Sequence, residues 1–519
     1  MSSRRTQERK SKFKKGIDQN EWRRRRNDQS VSIRKNKREE MVAKKRQLMP
    51  ADPGGDMGPS LREEEVGVLV QTIRETPNPE LRLESVMHLR KLLSSDKRPP
   101  IREIVSTGAL PLFISFLASE DQPRLQFEAA WVLTNIASGT SDQTAAVVQA
   151  GAIPAFVSLM SSDREELREQ AAWALGNIAG DSAENRDMIL RAGALEPLLH
   201  CVSSTTQVTA RRNCSWTLSN FCRGKPAPPL SLIYPAIGFL AMLLEKSEDE
   251  EILVDVCWAL SYLTDGANER IESVVNQPGV VPRVVDLLDH HSKNLQTPSL
   301  RVIGNIVTGN EHQTQAVLNC PLALPLLKKL LHHENKPTKK EACWGLSNIA
   351  AGAPHQIGKL IEADIIPSVL ELLQSSEFEI RKEAIWTLSN IATCGTPPQL
   401  AAIVSVHDSV ILHFCNFLEC TDVATVSVCL DALENILRLG SDMEKFPPPN
   451  PFVMQIEACG GLDIINSISD HQHNTIFDKV NSLLEYFDDI DDTFEPDVEE
   501  GGYGFGTGEV KDYQGGFNF

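Results

Sequence analysis

A Trp and an Asn recur four residues apart at five places in the chain. The pair stands in WVLTN from Trp131, WALGN from Trp173, WTLSN from Trp216, WGLSN from Trp344 and WTLSN from Trp386. An Asn side chain carries both a donor and an acceptor, so it can hold the N–H and C=O groups of an extended peptide whatever its sequence. A Trp ring offers a flat wall to the methylene stem of Lys or Arg and adds a cation–π attraction of about 0.5–2 kcal/mol. The pattern therefore predicts a surface that binds a cationic peptide.

The Trp and the Asn lie on the same side of their predicted helix. At about 100° per residue, Asn135 is only about 40° from Trp131 around the helix axis. The opposite side holds the aliphatic residues Val132, Leu133, Ile136 and Ala137. The alternative is that the Trp rings belong to the core, which is the usual position of an aromatic residue at helical spacing. Burying each Asn amide without a partner would cost about 1–3 kcal/mol, so we expect an exposed Trp–Asn ladder.

Two substitutions interrupt this ladder. Tyr262 takes the place of the Asn that would follow Trp258, and Arg301 takes the place of a Trp. The complete pairs therefore form a first group of three and a second group of two. This predicts two separate peptide-binding stretches, of which the first is the longer, with Arg301 repelling a cationic peptide between them.

Two acidic residues follow ladder positions closely. Asp181 lies four residues after Asn177, and Glu311 lies six residues after Asn305. A carboxylate at the end of a slot between two Trp walls would select Lys or Arg by charge. For either acid alone, a solvated surface carboxylate is an equally reasonable interpretation.

The ladder is one part of a longer internal repeat. Its related segments begin at positions 131, 173, 216, 258, 301, 344 and 386, which are 42 or 43 residues apart. A second marker, a Gly followed closely by a Pro, begins at Gly108, Gly151, Gly193 and Gly279. It places a helix stop before a new helix start. Helical patterns at this period, without strand-like alternation, predict an all-α armadillo-repeat solenoid, a right-handed superhelix of about ten units with a long concave surface.

The first 50 residues and the rest of the chain carry opposite charges. The chain has 52 Lys and Arg against 70 Asp and Glu, a net charge of −18. Residues 1–50 hold 18 basic and 6 acidic side chains, a charge of +12, so the remaining residues carry −30. A body this acidic is unsuited to nucleic acid, whose phosphates need cations, and suited to a cationic peptide.

The basic arm contains the runs KSKFKK at 10–15, RRRR at 23–26, RKNKR at 34–38 and KKR at 44–46. Its apolar residues are too sparse for a core, so we expect a segment that is disordered alone and folds into a helix on an acidic partner. Nucleic-acid binding is the alternative for such runs. The Gly- and Pro-rich linker that follows would let the KKR run reach back into the chain's own groove.

At the C-terminal end, residues 485–500 contain nine acids and no base, and the Gly-rich tail beyond them is predicted to be disordered.

No apolar run approaches the length of a membrane span, and no hydrophobic segment of a secretory signal follows the N-terminal charges. The eleven cysteines lack CxxC or Cys/His ligand spacing, which indicates reduced thiols in a cytosolic or nuclear protein.

The sequence offers little support for an enzyme or a metal protein. We find no clustered nucleophile and base and no phosphate loop of the GxxxxGK[ST] type, so we expect no catalysis and no cofactor. His290–His291 and His332–His333 are adjacent pairs, a spacing that should point their ring nitrogens apart. We therefore interpret them as surface histidines and predict no metal site.

Taken together, the Trp–Asn ladder, the NIAGD segment that ends at Asp181 and the RRRR…KKR arm resemble the importin-alpha family of nuclear import adaptors, over essentially all 519 residues. The resemblance implies an importin-beta-binding, autoinhibitory arm with its linker at 1–60, an armadillo-repeat domain at 61–485, and an acidic, Gly-rich tail at 486–519. It also implies a groove that binds nuclear localisation signals rich in Lys and Arg. A catenin-like armadillo scaffold is the alternative, but its groove would be lined by Lys and Arg for acidic ligands.

The resemblance assigns residues to three sites. The longer, major signal-binding stretch maps to Trp131, Asn135, Gly139, Thr144, Gln170, Trp173, Asn177, Asp181, Trp216, Asn220 and Arg223, of which Gly139, Thr144 and Asp181 would hold the principal Lys. The minor stretch maps to Arg301, Asn305, Glu311, Thr314, Glu341, Trp344, Asn348, Glu383, Trp386 and Asn390. The importin-beta-binding and autoinhibitory residues map to Lys12, Phe13, Arg23, Arg24, Arg25, Arg26, Arg34, Lys35, Lys37, Arg38, Lys44, Lys45 and Arg46.

The partners follow from the same resemblance. They are cargo proteins with a localisation signal, importin-beta, and a recycling exportin that engages the last repeat and the acidic tail. Ran-GTP would act indirectly through these carriers, and the nuclear pore complex would be reached through importin-beta. The resemblance implies a protein that shuttles between cytoplasm and nucleus. The charge and the apolar runs of the sequence indicate no direct binding to nucleic acid and no membrane span.

Overall fold

The computed structural model describes residues 59–95, 99–406, 409–441 and 450–491. Within these ranges the chain forms 28 α-helices and one short 3-10 helix, and it forms no strand. In chain order the α-helices are α1 (Pro59–Glu75), α2 (Pro79–Ser95), α3 (Ile101–Ser106), α4 (Leu110–Phe116), α5 (Pro123–Ala137), α6 (Ser141–Gln149), α7 (Ala152–Leu159), α8 (Glu165–Asp181), α9 (Ala183–Arg191), α10 (Leu195–Ser204), α11 (Val208–Cys222), α12 (Leu230–Lys246), α13 (Glu250–Leu263), α14 (Asn268–Val275), α15 (Val280–Asp286), α16 (Lys293–Ile306), α17 (Glu311–Leu318), α18 (Ala323–Leu331), α19 (Lys336–Ala350), α20 (Pro354–Glu362), α21 (Ile366–Leu372), α22 (Phe378–Cys394), α23 (Pro397–Val406), α24 (Ser409–Phe417), α25 (Val423–Gly440), α26 (Pro451–Ala458), α27 (Gly461–Ser467) and α28 (Asn474–Asp491).

Ten of these helices stand side by side in one continuous row, each packed against the next along the chain. We call them the inner helices: α2, α5, α8, α11, α13, α16, α19, α22, α25 and α28. Except for α1, which precedes the first inner helix, the other helices connect one inner helix to the next. The row confirms the predicted armadillo-repeat solenoid of about ten units. Its last helix ends at Asp491, beyond the predicted domain boundary at residue 485, which stays a prediction.

The predicted helix stops are glycines in the left-handed backbone region. Gly108, Gly151, Gly193 and Gly279 have φ angles of 66°, 91°, 82° and 77°. A residue with a Cβ atom is strained there, so glycine can end one helix and turn the chain into the next at little cost. The Gly–Pro marker thus repeats because the same turn is needed between the connecting helices.

The aliphatic side of each inner helix forms the core. In α5, Val132, Leu133 and Ile136 are fully buried, and Leu175 and Ile178 of α8 are buried in the same way. A fully buried side chain of this size contributes roughly 1.5–3 kcal/mol relative to an exposed one. This confirms the predicted orientation of the helices, with the aliphatic side inward and the Trp–Asn side on the opposite face.

Among the described residues no single helix is long and apolar enough to cross a membrane, although the bent pair Pro397–Val404 and Ser409–Phe417 meets the length and composition requirements together. All eleven cysteines are free, as the sequence predicts.

The adjacent histidines His290 and His291 do not point apart, so that prediction is wrong. Their ring centroids lie 4.1 Å apart, and one ligand atom from each ring lies within 4.8 Å of the other and of a Glu250 oxygen. The backbone is extended at His290 but bends at His291, between the 3-10 helix Leu287–Asp289 and α16. This bend breaks the alternation of successive side chains, and the Ser292 N–H donates to His290 Nδ1 at 3.2 Å.

Candidate peptide-binding groove

The Trp–Asn pairs of the sequence lie on five inner helices. Three neighbouring helices, α5, α8 and α11, carry the first group, and two neighbouring helices, α19 and α22, carry the second. Each pair occupies the same position on its helix, so the pairs follow one another along one face of the row. We call this face the groove.

The Asn amides of the groove are buried and hydrogen-bonded, so the prediction that they project freely is wrong. Asn177, Asn220 and Asn390 are only 4%, 1% and 4% exposed. The Nδ2 of Asn177 donates to the Thr134 carbonyl at 3.3 Å, and that of Asn220 donates to the Gly176 carbonyl at 3.1 Å. The expected cost of burial assumed that no partner exists. The preceding inner helix supplies that partner.

The remaining ladder amides also find acceptors within the chain. Asn390 Nδ2 donates to the Ser347 carbonyl and Asn305 Nδ2 to the Ser261 carbonyl, both at 2.8 Å. Asn135 Nδ2 donates to Ser94 Oγ at 3.1 Å, and Asn348 Nδ2 donates to the carbonyl of Trp344 in its own helix at 2.9 Å. These bonds fix the orientation of each amide.

In three of these amides the oxygen has no hydrogen-bond partner among the described residues. The Oδ1 atoms of Asn177, Asn220 and Asn390 are buried and have no hydrogen-bond partner among the described residues, and neither has Nε1 of Trp216. An unsatisfied buried acceptor costs about 1–3 kcal/mol. Each amide retains one Nδ2 hydrogen and both Oδ1 lone pairs for a further partner. Three amide oxygens along this face are therefore fixed in position and unsatisfied among the described residues.

The Trp rings pack sideways onto the preceding inner helix. A Cβ atom on Gly176 would lie 2.6 Å from the ring of Trp216, and one on Gly304 would lie 2.4 Å from the ring of Trp344. Trp216 is 6% and Trp344 is 8% exposed, and Trp173 and Trp386 are equally buried, so the predicted exposure of these rings is wrong. Trp131, in the first pair, is half-buried. The cause is the lateral contact between inner helices, which a single-helix projection does not include.

Two Trp rings are covered by arginines of the chain itself. The guanidinium of Arg90 lies 4.6 Å from the ring centroid of Trp131 and is held by Glu128, with Nε donating to Oε2 at 2.7 Å. The guanidinium of Arg301 lies 5.4 Å from the ring centroid of Trp258. Sequence reasoning missed the Arg90–Glu128 pair. An acid three residues before a ladder Trp was the signal that could have found it.

Residues of the predicted lysine pocket meet at the end of α8. Asp181 is exposed, and its Oδ1 accepts from Ser141 Oγ at 2.8 Å. Ser141 begins α6, directly after the turn that contains Gly139. Thr144 Oγ1 donates to the Ala137 carbonyl at 3.1 Å. The structure therefore places Asp181 beside the start of α6, although Asp181 and Ser141 are 40 residues apart.

The minor stretch has a similar turn but a different acid. Thr314 Oγ1 donates to the Val307 carbonyl at 3.4 Å, matching the bond from Thr144. Glu311 begins α17 as Ser141 begins α6, and it is exposed. Its Oε1 lies 3.9 Å from Nδ1 of His355. The predicted acid of the minor stretch therefore lies at the start of a connecting helix rather than at the end of an inner helix.

The accessory residues of the major stretch lie against neighbouring inner helices. Gln170 Nε2 donates to Thr134 Oγ1 at 2.8 Å. Arg223 Nη1 donates to the Gly180 carbonyl at 3.3 Å, and burial lowers the pKa of the Arg223 guanidinium. These side chains brace the helices that carry the first group of Trp–Asn pairs.

The acids of the minor stretch precede its Trp residues by three positions. Glu383 is buried in α22, and Glu341 in α19 is paired with Arg301 of the preceding inner helix. Arg301 therefore does not present the free positive charge that the sequence suggested.

Between the two groups of Trp–Asn pairs, the rings of Trp258 and Tyr262 are stacked with centroids 6.0 Å apart. The predicted arm residues, from Lys12 to Arg46, lie outside the described residues.

Comparison with protein families matches two family descriptions. The armadillo/beta-catenin-like repeat matches seven segments, at 96–138, 140–180, 182–223, 232–265, 268–308, 310–351 and 353–393. The importin beta binding domain matches residues 9–97, which include the basic arm and extend to the first helices of the solenoid. The seven repeat matches lie within the predicted armadillo-repeat domain, whereas the importin beta binding domain match extends beyond the predicted end of the arm at residue 60. The domain boundaries stay predictions.

Known proteins resemble the whole chain. Importin subunit alpha-3 of Arabidopsis thaliana is 44% identical over 533 aligned positions, covering 100% of this chain and 99% of the relative. Importin subunit alpha-B of Dictyostelium discoideum is 50% identical, covering 96% of each. A crystal structure of an engineered protein superposes with a TM-score of 0.72 at 27% identity, covering 82% of this chain and 99% of the other. The chain therefore belongs to the importin-alpha family of nuclear import adaptors.

Proposed function

We propose that this adaptor binds Lys- and Arg-rich localisation signals along its groove, in a major stretch on α5, α8 and α11 and a minor stretch from α16 to α22. The observation that carries the proposal is the set of buried, unpartnered amide oxygens of Asn177, Asn220 and Asn390. Backbone N–H groups of an extended peptide would satisfy them without regard to its side chains.

The spacing of the inner helices suits such a peptide. Packed helices stand about 8–10 Å apart, and an extended chain advances about 3.3 Å per residue. One repeat therefore spans two to three peptide residues. Asn177 and Asn220, on neighbouring helices, would bond to backbone groups of the same edge of the peptide, and alternate side chains would enter the slots between Trp rings.

The selection of cations is supported by the chain's own contacts. Arg90 rests over Trp131 within cation–π distance, which demonstrates that a guanidinium fits against a ladder ring. The exposed carboxylate of Asp181, fixed by Ser141, adds a negative charge beside the start of α6, where the Ser141 and Thr144 hydroxyl groups supply further oxygens. A Lys ammonium with three donors would be satisfied by such a group of oxygens.

The remaining roles rest on the family. In this proposal the arm at 1–60 binds importin-beta, and its Lys44–Arg46 run competes with cargo for the groove when importin-beta is absent. A recycling exportin engages the last repeat and the acidic tail, and importin-beta connects the complex to the nuclear pore. The protein shuttles between cytoplasm and nucleus and catalyses no reaction.

A binding series with a fluorescently labelled Lys-rich peptide tests the proposal. Fluorescence anisotropy should give weak binding to the full chain and tight binding to a form lacking residues 1–58, which retains α1 from Pro59. Asp181→Lys in the shortened form should weaken binding again. Glu457→Lys is the control, because it makes the same change of charge on α26, outside the row of inner helices.

Each outcome addresses one part of the proposal. Equal affinity of the full and shortened chains would rule out competition by the arm. Unchanged binding by Asp181→Lys would show that Asp181 does not form part of a lysine pocket. An equal loss in Glu457→Lys would mean that net charge alone governs binding. Capture of importin-beta by the full chain, and its loss on removing residues 1–58, tests the arm separately.

A further inference from the structure

Two cysteines from consecutive connecting segments meet near the C-terminal end of the solenoid. Cys415 lies in α24 and Cys459 directly follows α26, and their Sγ atoms are 4.0 Å apart. Cys415 is fully buried, whereas Cys459 is partly exposed. The inner helix α25 lies between them in the chain. From this geometry we infer that Cys459 is a peroxide-sensitive modification site and that Cys415 captures its oxidised form as a disulfide.

The difference in burial assigns the order of events. A small oxidant such as hydrogen peroxide reaches the partly exposed sulfur of Cys459 first. The Cys459 sulfur takes one oxygen from the peroxide, becomes a sulfenic acid and releases one water. Cys415 Sγ then attacks the Cys459 sulfur as its proton passes to the adjacent sulfenic hydroxyl, so no free Cys415 thiolate is needed. The S–O bond breaks, and the hydroxyl leaves with that proton as a second water.

The surrounding backbone can accommodate the bond. A disulfide requires sulfur atoms about 2.05 Å apart, so the two sulfurs must approach by about 2 Å. Cys459 is followed by Gly460, at a φ of 74°, and by Gly461. A Cβ atom on Gly461 would lie 2.5 Å from the Cys415 sulfur, so this sulfur rests against a glycine rather than a side chain. Two successive glycines give the Cys459 backbone freedom to move.

The bond would act on the ninth and tenth inner helices. It would close a loop from residue 415 to residue 459 that contains all of α25. Closing a loop removes conformational freedom from the opened state, so the bridged repeat should open less often. The pair would thus make the C-terminal end of the solenoid more rigid under oxidising conditions.

The chain contains its own control. Cys201 and Cys214 also form a hydrogen-bonded pair of thiols, but both are fully buried. Proximity is therefore common to the two pairs, and exposure of one sulfur distinguishes them. Peroxide should bridge Cys415 to Cys459 in the native protein and leave Cys201 and Cys214 as thiols until the protein is unfolded.

The experiment treats the native full chain with hydrogen peroxide, blocks remaining thiols, and maps the linked peptides by mass spectrometry. The expected result is a 415–459 bridge that dithiothreitol reverses, together with hydrogen exchange in α25 that is slower by at least about tenfold. Cys459→Ser should abolish both effects, and Cys320→Ser, at another partly exposed thiol, should change neither.

Irreversible oxidation of Cys459 without a bridge would overturn the role of Cys415. A 201–214 bridge that forms as fast would overturn the argument from exposure. A bridge that forms without slower hydrogen exchange in α25 would overturn the inference that it makes the C-terminal end of the solenoid more rigid.

Discussion

The side chains of Arg301 and Glu341 meet in an ion pair with two hydrogen bonds between neighbouring inner helices. Arg301 Nε donates to Oε1 at 3.0 Å and Nη2 donates to Oε2 at 3.2 Å. The two side chains are only 11% and 13% exposed. Burial alone would lower the pKa of Arg301, but the Glu341 carboxylate outweighs burial and raises the pKa. The residue that interrupts the Trp–Asn ladder thus has its charge neutralised within the groove.

Replacing Arg301 by Ala should destabilise the solenoid strongly. The change leaves the Glu341 carboxylate in a site from which water is largely excluded, and such a broken pair costs about 3–5 kcal/mol. The measurement is the thermal unfolding midpoint by circular dichroism. Lys359→Ala is the control, because its pair with Glu362 is exposed, and its midpoint should match that of the wild type.

The double variant Arg301→Met/Glu341→Leu separates the ion pair from packing. Because both charges are removed, no unpaired charge remains, and most of the lost stability should return. A double variant as unstable as Arg301→Ala would show that Arg301 stabilises the repeat through its contact with Trp258 instead.

Two glycines of the inner helices should respond oppositely to the same substitution. Gly176→Ala places a Cβ atom 2.5 Å from Thr217 Oγ1 and 2.6 Å from the Trp216 ring, whereas Gly345→Ala meets nothing within 4 Å. Ala favours a helix interior by up to about 1 kcal/mol over Gly, but overpacking typically costs about 1–3 kcal/mol.

We therefore expect Gly345→Ala to raise the unfolding midpoint slightly and Gly176→Ala to lower it. The two variants make the same chemical change on the same kind of helix, so they serve as controls for each other. Equal midpoints would mean that the Trp216 ring moves aside without cost and does not depend on Gly176.

Residues close in sequence could be placed without the structure. The phase of Trp131 against Val132 and Leu133 follows from helix geometry, and the turns at Gly108 and Gly151 follow from local backbone chemistry. These features depend on neighbours within one or two helix turns. For that reason the repeat period was enough to predict the fold, the number of units and the buried side of each helix.

Contacts between repeats could not be placed in this way. The acceptor for Asn220 is the carbonyl of Gly176, 44 residues earlier, and Arg90 meets Glu128 across 38 residues. Burial of the ladder depends on these lateral contacts, which a helical projection of one segment omits. The roles of the groove residues in peptide binding stay predictions.

The Asp422 carboxylate should make the contact between α22 and α25 sensitive to acid. Burial acts to raise the pKa of Asp422, but hydrogen bonds from Lys382 and from the backbone and hydroxyl of Thr425 outweigh it and hold the pKa below the usual value. A carboxyl with a lowered pKa stabilises the folded state fully above its ordinary pKa of about 3.9. That stabilisation is lost as the pH falls through the lower value of the folded state.

The variant Asp422→Asn isolates this charge, because Asn is as good a helix N-cap as Asp. At neutral pH it should be less stable than the wild type by about 1 kcal/mol. As the pH falls below the ordinary carboxyl pKa of about 3.9, the difference should shrink as the wild-type carboxyl is protonated. Melting curves across this range test the prediction, with Asp470→Asn at an exposed position as the control. A difference that stays constant with pH would exclude the Lys382 contact as its source.

The thiol of Cys257 should resist alkylation in the native protein. Burial raises the pKa of Cys257 to about 12, and the side chain is inaccessible to solvent. Because the thiolate is the reactive form, only about one Cys257 in ten thousand would be reactive at pH 8 even if a reagent reached it.

Cys320, which is partly exposed, provides the comparison within the same chain. Site-resolved labelling with iodoacetamide should modify Cys320 at least about a hundredfold faster. Labelling of Cys257 should proceed only through opening of the solenoid, so its rate should rise with urea. Equal rates in the absence of urea would mean that the repeat around α13 opens readily in the native state.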